Sequence, residues 1–204
     1  MSRIILSAIL SSLLFVSLEA LSPWTAVAEK LEKSVVFIEV LNGTGEKLGS
    51  CTGFVINAEK KSVLTAAHCA GEKVLVDGTP TYKLFLDERH DVMVLRASNI
   101  DRPALTIAKK NPDRGEQVAS LGYGFGLIDP VFRVTHVSNV NLQIESLASL
   151  FVMVDSGFLP GQSGGPVVNI QGEVIAIVQR GSDSLGLGIG AEVIRSRMGR
   201  YLPD

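Results

Sequence analysis

The sequence predicts an all-β protein with few helices. Short runs rich in valine, isoleucine, leucine and phenylalanine recur along the chain, and turn-forming residues separate them. Hydrophobic residues make up 46% and charged residues 20% of the 204-residue chain, a composition that excludes extensive disorder. Many short strands of this kind predict a β-sandwich or β-barrels.

Ten segments are predicted as strands. They are Val35–Leu41, Leu48–Ile56, Ser62–Ala66, Tyr82–Leu86, Val92–Arg96, Gln117–Leu121, Phe132–Val140, Phe151–Val154, Pro166–Asn169 and Val174–Gln179. Two short helices, at Ala28–Lys33 and Glu192–Tyr201, are predicted to flank them. The polar stretch Ser98–Glu116 contains two prolines and is predicted to connect two halves of the protein.

The N-terminus has the layout of a secretory signal peptide. Arg3 precedes an apolar run over residues 4–18, and the small-residue pattern Ala26-Val27-Ala28 follows. Cleavage is predicted after Ala28, with the bond after Ala20 as second choice and an uncleaved anchor as the alternative. The mature chain, residues 29–204, is expected to be secreted or periplasmic and to have no stable membrane partner after cleavage.

Charge and composition exclude several classes of protein. The formal net charge of -2 provides no electrostatic basis for binding nucleic acid. The 20 glycines follow no repeat period, which excludes collagen and solenoid architectures. His, Cys and acidic residues do not cluster at metal-ligand spacing, so we expect no metal and no other cofactor.

A glycine-rich segment contains the first candidate for chemistry. In Gly161-Gln162-Ser163-Gly164-Gly165, a serine between glycines can expose its hydroxyl and nearby backbone N–H groups to one point. The segment also fits the G-x-S-x-G elbow of α/β-hydrolases, but those enzymes need a histidine after the serine. The last histidine of this chain is His136, which excludes that interpretation. Taken alone, the segment is also compatible with a simple hairpin loop.

The order of the residues selects one arrangement of nucleophile, base and acid. A subtilisin-like order needs an aspartate before the histidine, and Asp77, the first aspartate of the chain, follows His68. The order histidine, aspartate, serine is met by His68, Asp91 and Ser163. The neighbouring His90 is set aside, because alternation along a strand would turn it to the opposite face from Asp91.

Three segments together resemble the signatures of chymotrypsin-like serine endopeptidases. They are Thr65-Ala66-Ala67-His68-Cys69, Asp91-Val92-Met93-Val94-Leu95 and Gly161-Gln162-Ser163-Gly164-Gly165-Pro166, in the order of that family. The resemblance implies two antiparallel six-stranded β-barrels, at about residues 34–97 and 117–190, with the active site in the cleft between them. Residues 98–116 would form the connector, and residues 191–201 a short C-terminal helix.

The resemblance also implies the role of each residue. His68 acts as general base, Asp91 orients it, and Ser163 forms an acyl-enzyme with a polypeptide substrate. The backbone N–H groups of Gly161 and Ser163 form the oxyanion hole. A catalytically silent binding module built on the same barrels, and an esterase acting on small substrates, are the alternatives.

Within that family, the chain is similar to the bacterial high-temperature-requirement (Deg-type) branch. Three segments, Gly115–Gly122, Gly172–Ile177 and Gly188–Ala191, match strands of that branch, and the residues Asp155 and Pro160 match it too. Only 41 residues follow Ser163, so we expect no C-terminal peptide-binding domain of the kind that the branch usually has. The sequence makes no prediction of oligomeric state.

The resemblance further implies a disulfide between Cys51 and Cys69. Closing the loop of roughly 18 residues between them would stabilise the protein by about 3 kcal/mol in the loop-entropy model. An oxidising compartment would favour this bond. Two buried free thiols are the alternative.

By the same resemblance, the primary specificity pocket is expected to involve Gly157 and Phe158. Strand residues Ile177, Val178 and Gln179 are expected to pair with the substrate as an added β-strand. Glycine rather than an acid stands at the base position of the pocket. The side chain before the cleaved bond (P1) is therefore expected to be apolar and of small or medium size.

Overall fold

The strands fall into two groups in a computed structural model, which describes residues 22–144 and 149–203. The first group contains β1 (Val35–Leu41), β2 (Lys47–Asn57), β3 (Ser62–Thr65), β4 (Lys73–Val76), β5 (Thr79–Pro80), β6 (Tyr82–Asp87) and β7 (Val92–Arg96). The second contains β8 (Gln117–Gly122), β9 (Val131–Gln143), β10 (Leu150–Val154), β11 (Pro166–Val168), β12 (Val174–Gly181) and β13 (Gly186–Gly190). Helices α1 (Pro23–Ser34) and α2 (Ala191–Met198) flank the two groups.

The predicted two-lobe β architecture is confirmed, and the two lobes differ in closure. The second lobe is a closed barrel of six strands in the order β10-β13-β12-β11-β8-β9. The first lobe is an open sheet of seven strands in the order β5-β4-β1-β2-β3-β7-β6. The described pairings between these strands are all antiparallel, and several of them, such as β1 with β4, β3 with β7 and β8 with β11, join strands that are not consecutive in the chain.

Two strands of the first lobe escaped sequence-based prediction, and both are short. Strand β4 has four residues, and β5 consists of Thr79 and Pro80. Two residues are too few to show an alternation of apolar and polar side chains. Strand β5 lies at the edge of the sheet, where its proline is tolerated. Strand β13 contains three glycines in five residues, and only the family resemblance indicated it.

The connector between the lobes is bonded to both of them. The Leu105 N–H donates to Val55 O of β2 at 2.8 Å. The Ala108 N–H donates to Val174 O, and the Val174 N–H donates to Thr106 O, both at 2.8 Å. These bonds hold β2 of the first lobe close to the start of β12 of the second.

Helix α1 begins earlier than predicted and packs against the second lobe. Proline at its first position is compatible with a helix start, because the N–H that proline lacks would have no partner there. Trp24 and Val27 are buried at 8% and 5% exposure, and the Trp24 Nε1–H donates to Gln117 Oε1 at 2.9 Å. Neither this helix nor any other in the described residues has the length and hydropathy to cross a bilayer.

The predicted cleavage after Ala28 falls inside this helix, while residues 1–21, including the alternative site at Ala20, lie outside the described residues. A chain starting at Glu29 would lack Trp24 and Val27, which belong to the hydrophobic core. The packing of α1 therefore disfavours cleavage after Ala28, whereas cleavage after Ala20 and an uncleaved anchor both leave the helix intact.

We predict that a chain starting at Leu21 is more stable than one starting at Glu29. Removing a buried tryptophan typically costs about 3–5 kcal/mol, so the free energy of unfolding of the shorter chain should fall by at least about 3 kcal/mol. Urea denaturation of both chains measures the difference. N-terminal sequencing of the exported protein should begin at Leu21, and a start at Glu29 with unchanged stability would contradict the prediction.

Candidate active site

A short turn after β3 presents His68. Ala67–Cys69 form one turn of 3-10 helix in which the two flanking side chains are buried and His68 is exposed. The expected disulfide is present, with Cys69 bonded to Cys51 of β2 at an S–S distance of 1.99 Å. This bond ties the histidine turn to the neighbouring strand.

Asp91 receives two hydrogen bonds from His68. The His68 backbone N–H donates to Asp91 Oδ1 at 2.9 Å, and His68 Nδ1 lies 2.9 Å from Asp91 Oδ2. Because a carboxylate only accepts, Nδ1 carries the hydrogen and Nε2 is the nitrogen left to exchange a proton. Asp91 adopts a left-handed backbone conformation (φ 55°), in the last position of the four-residue turn before β7.

Sequence reasoning missed a second aspartate that holds this turn. Buried Asp87 accepts from the His90 N–H at 3.1 Å, from His90 Nδ1 at 2.9 Å and from Arg197 Nε of α2 at 2.7 Å. Burial raises the pKa of Asp87, but the hydrogen bonds from Arg197 and His90 lower it by more, so the net pKa is below its ordinary value. Asp87 and Arg197 therefore join α2 of the second lobe to the turn that carries Asp91.

The reason for setting His90 aside was wrong. Strand alternation does not apply to His90, because it lies in a turn between β6 and β7. Its ring bonds to Asp87 through Nδ1 and also lines the cleft that contains His68. Of the two histidines, only His68 stands in a segment, Thr65–Cys69, that resembles a family signature.

Ser163 lies in a loop between β10 and β11 that only glycine can build at two positions. Gly161 and Gly164 have φ angles of 94° and 81°. A Cβ atom at Gly161 would lie 2.4 Å from Tyr123 O, and one at Gly164 would lie 2.1 Å from Thr65 Oγ1. The glycines therefore permit both the backbone path and the close approach of neighbouring chain.

Within residues 159–165 of this loop, two backbone N–H groups have no acceptor among the described residues. They belong to Gly161 and Ser163, the pair expected from the sequence. The carbonyl groups of the same two peptide units are occupied: Pro160 O accepts from the Phe125 N–H at 2.6 Å and Gln162 O accepts from the Gly165 N–H at 2.9 Å. The two donors are therefore available to a ligand beside the serine.

His68, Asp91 and Ser163 line one cleft of about 620 Å³. Phe158, Val178 and Gln179 of the predicted substrate-binding set line it too. The structure records no hydrogen bond between the Ser163 hydroxyl and His68 in the described part of the chain. Apo sites often have long contacts here that tighten when substrate binds.

Gly157 and Ile177 do not line this cleft, although both were predicted to bind substrate. Gly157 is buried against the backbone of the loop after β12, where a Cβ atom would lie 1.8 Å from Ser182 O. Ile177 is fully buried, with β11 on one side of its strand and β13 on the other. The strand period turns its side chain into the barrel.

Arg133 bonds to the two residues before Phe158, a contact that the sequence did not indicate. Its Nη1 donates to the carbonyl oxygen of Gly157 and to Ser156 Oγ. Asp155, the nearest acid in the sequence, is exposed and accepts hydrogen bonds from Thr135 Oγ1 and from the His136 N–H. These bonds hold the pKa of Asp155 below its ordinary value and turn its carboxylate towards β9.

One cluster among the described residues has the spacing of metal ligands. Potential ligand atoms of Cys51, His68 and Cys69 lie within 4.8 Å of one another. The two sulfur atoms are joined in the disulfide, so neither is the thiolate that binds zinc. The cluster does not fit a metal site in this state.

A profile of the trypsin-like peptidase domain matches residues 51–177. The chain belongs to the trypsin-like peptidase family. The match covers more than half of the chain and includes His68, Asp91 and Ser163.

Relatives place the chain near the Deg-type branch of the family, as expected. Human serine protease HTRA4 is 27% identical over 195 residues, which cover 86% of this chain and 41% of that protein. The periplasmic pH-dependent serine endoprotease DegQ of Escherichia coli is 31% identical over 172 residues, covering 77% and 36%. The chain thus spans less than half the length of both relatives.

A solved structure supports the fold independently. The active form of the Rv3671c protease of Mycobacterium tuberculosis superposes with a TM-score of 0.71 at 24% sequence identity. The superposition covers 85% of this chain and 82% of that one. The two-lobe arrangement is therefore that of trypsin-like peptidases.

We predict that Asp87→Asn destabilises the protein above about pH 4 and much less below it. Because the folded pKa of Asp87 is lowered, its contribution is complete above the unfolded pKa, about 3.9, and disappears as the pH falls through the folded pKa. At pH 7 the loss should be about 1–3 kcal/mol, since buried donors lose a charged acceptor.

Urea unfolding between pH 3 and pH 7 measures this difference. Asp113→Asn is the matched control, because the Asp113 side chain is 87% exposed and its ion pair with Lys110 is long, at 3.9 Å. A destabilisation by Asp87→Asn that does not change with pH would contradict the prediction.

Proposed function

We propose that this chain is a serine endopeptidase that hydrolyses peptide bonds in polypeptides. The observation that carries the proposal is the 2.9 Å contact between His68 Nδ1 and Asp91 Oδ2 in the cleft that also contains Ser163. The unoccupied N–H groups beside the serine add the second component that acyl transfer requires. Membership of the trypsin-like peptidase family also supports acyl transfer as the chemistry of this site.

The reaction would proceed through an acyl-enzyme. His68 Nε2 takes the proton of the Ser163 hydroxyl while Oγ bonds to the carbonyl carbon, and Asp91 stabilises the resulting imidazolium. The N–H groups of Gly161 and Ser163 hold the oxyanion. His68 then gives its proton to the leaving amine as the peptide bond breaks. Water, deprotonated by His68, attacks the ester and releases the acid product and Ser163.

The end of β12 offers an edge on which a peptide can add as a strand. The Val178 N–H donates to Gly165 O, and Val178 O accepts from the Gly164 N–H. Beyond this point β12 continues to Gly181, and its described strand pairing is with β13 alone. An extended substrate could therefore pair beside Gln179 and Gly181, as in β-strand addition.

The walls near Ser163 support a preference for apolar P1 side chains of small or medium size. Phe158, Val178 and Ile189 line this part of the cleft. The Phe158 ring packs so closely that a Cβ atom at Gly186 would lie 2.5 Å from its Cε2. Arg133 Nη1 donates to the carbonyl oxygen of Gly157, the residue before Phe158, and this positive charge would repel a cationic P1 side chain.

We place the protein outside the cytoplasm. The signal-like N-terminus and the disulfide both favour export. The relative DegQ is named as periplasmic. The mature domain would then start near residue 21 and contain the first lobe, the connector and the second lobe in that order.

A binding module without catalysis is the second candidate. The missing hydrogen bond between Ser163 and His68 favours it, because an activated serine normally contacts its base. A binder would keep the cleft and the β12 edge but would not form an acyl-enzyme.

We predict that a fluorophosphonate probe labels the protein at Ser163. Ser163→Ala should abolish labelling and reduce peptide hydrolysis by at least about 10⁴-fold, since the nucleophile is removed. Ser149→Ala is the matched control, because Ser149 lines the same cleft and should keep full labelling. Intact-mass measurement detects the adduct. A folded wild-type protein that is not labelled would favour the binding module.

We predict cleavage after small and medium apolar residues in a peptide library read by mass spectrometry. Phe158→Ala should shift the preference towards larger apolar P1 residues by about tenfold or more in relative kcat/KM, because it empties space in the pocket. Asp155→Asn is the control and should leave the preference unchanged, since Asp155 is turned towards β9. Cleavage after Arg or Lys that Asp155→Asn abolishes would contradict this assignment.

A further inference from the structure

Thr52 of β2 binds the Ser163 loop from across the boundary between the lobes. Its side chain has no solvent exposure. Its backbone N–H donates to Ser163 O at 2.9 Å, and its Oγ1 donates to Gly161 O at 2.8 Å. One residue of the first lobe thus bonds to both residues whose N–H groups have no acceptor among the described residues.

The direction of the Thr52 hydroxyl bond follows from its neighbours. The Tyr123 N–H donates to Thr52 Oγ1 at 2.9 Å, so the oxygen acts as acceptor there. Gly161 O can only accept, and the hydroxyl hydrogen must therefore point at it. The Thr65 Oγ1–H donates to Thr52 O at 2.8 Å and holds the Thr52 backbone from β3.

The position of Gly161 O determines the geometry of the two free donors. This carbonyl belongs to the rigid peptide unit between Gly161 and Gln162, which lies between the units that carry the Gly161 N–H and the Ser163 N–H. The N–H of the same central unit donates to Leu159 O at 3.0 Å. Without the Thr52 bond, this unit would be held from the second lobe alone.

Thr52 also follows Cys51, whose disulfide partner Cys69 follows His68. The same short segment of β2 is therefore attached to the base on one side and to the nucleophile loop on the other. Strand β2 thus holds His68 and the Ser163 loop in position relative to each other.

We propose that Thr52 is a positioning residue for the oxyanion hole, an inference that rests on the proposed peptidase function. Its hydroxyl holds the central peptide unit so that the Gly161 and Ser163 N–H groups converge on one point. The role does not require contact between Thr52 and substrate. Loss of the hydroxyl therefore affects the transition state more than substrate binding.

The test compares Thr52→Val, which keeps the shape and removes the hydroxyl, with Thr52→Ser, which keeps the hydroxyl. For Thr52→Val we expect kcat to fall at least about tenfold with KM within about twofold, because removing a direct oxyanion donor costs about 10²–10³. Affinity for a peptide aldehyde, whose adduct carries an oxyanion, should fall by the same factor. Thr52→Ser should stay within about threefold of wild type.

Thr135→Val is the matched control. Thr135 is also buried, at 4% exposure, and its hydroxyl bonds to Asp155, outside the segment 159–164 that carries the two free N–H groups. It should leave kcat and aldehyde affinity unchanged, which separates the general cost of replacing a buried threonine from the specific effect at Thr52.

Amide hydrogen exchange over residues 159–164 is a readout that does not depend on activity. Thr52→Val should raise exchange in this segment about tenfold or more, and Thr52→Ser should not. Equal kcat and equal exchange in wild type and Thr52→Val would overturn the proposal, and so would equal losses in Thr52→Val and Thr52→Ser. A wild type that hydrolyses no peptide contradicts the proposed function, and the exchange comparison then decides the role of Thr52 by itself. If Thr52→Val does not fold, Thr52→Ala replaces it in the same comparison.

Discussion

The candidate site depends on a fixed position of one lobe relative to the other. His68 and Asp91 belong to the first lobe and Ser163 to the second, so a small shift between the lobes would separate base from nucleophile. Hydrogen bonds from the connector to both lobes, and from Thr52 to the Ser163 loop, oppose such a shift. Fixed geometry of this kind is what allows donors to act without reorganising during a reaction.

A second constraint acts on the aspartate. Asp91 has a left-handed backbone, which costs free energy in any residue other than glycine and persists only when surrounding contacts impose it. The hydrogen bond between His90 and Asp87 holds the turn, and Arg197 of α2 donates to the same Asp87 carboxylate. Helix α2, which follows the last strand of the second lobe, therefore supports the orientation of Asp91 in the first lobe.

Sequence patterns predicted strands well where most of their side chains are buried. They predicted strands poorly at the sheet edge and where glycines replace larger side chains. Strands β1 and β7 were predicted to the residue, because their valines and other large apolar residues fill the core. Strands β4 and β5 were missed because they are the two outermost strands at one edge of the sheet and are only partly buried, whereas the similarly short β3 and β11 are buried throughout and were predicted. The strand rule also failed for His90, since the residue lies in a turn. Gly157, which the resemblance placed in the specificity pocket, packs against Ser182 instead, and such packing is not a local property.

The sequence by itself determined the β class, the order of histidine, aspartate and serine, and the glycines that the serine loop requires. These features are readable because each depends on residue type and local spacing. Only the tertiary structure showed that Thr52 bonds to Gly161 and that Arg197 bonds to Asp87. These pairs are separated by 109 and 110 residues in the sequence. A threonine or an arginine has many possible partners, and the closure of two sheets around one cleft decides which partner it meets.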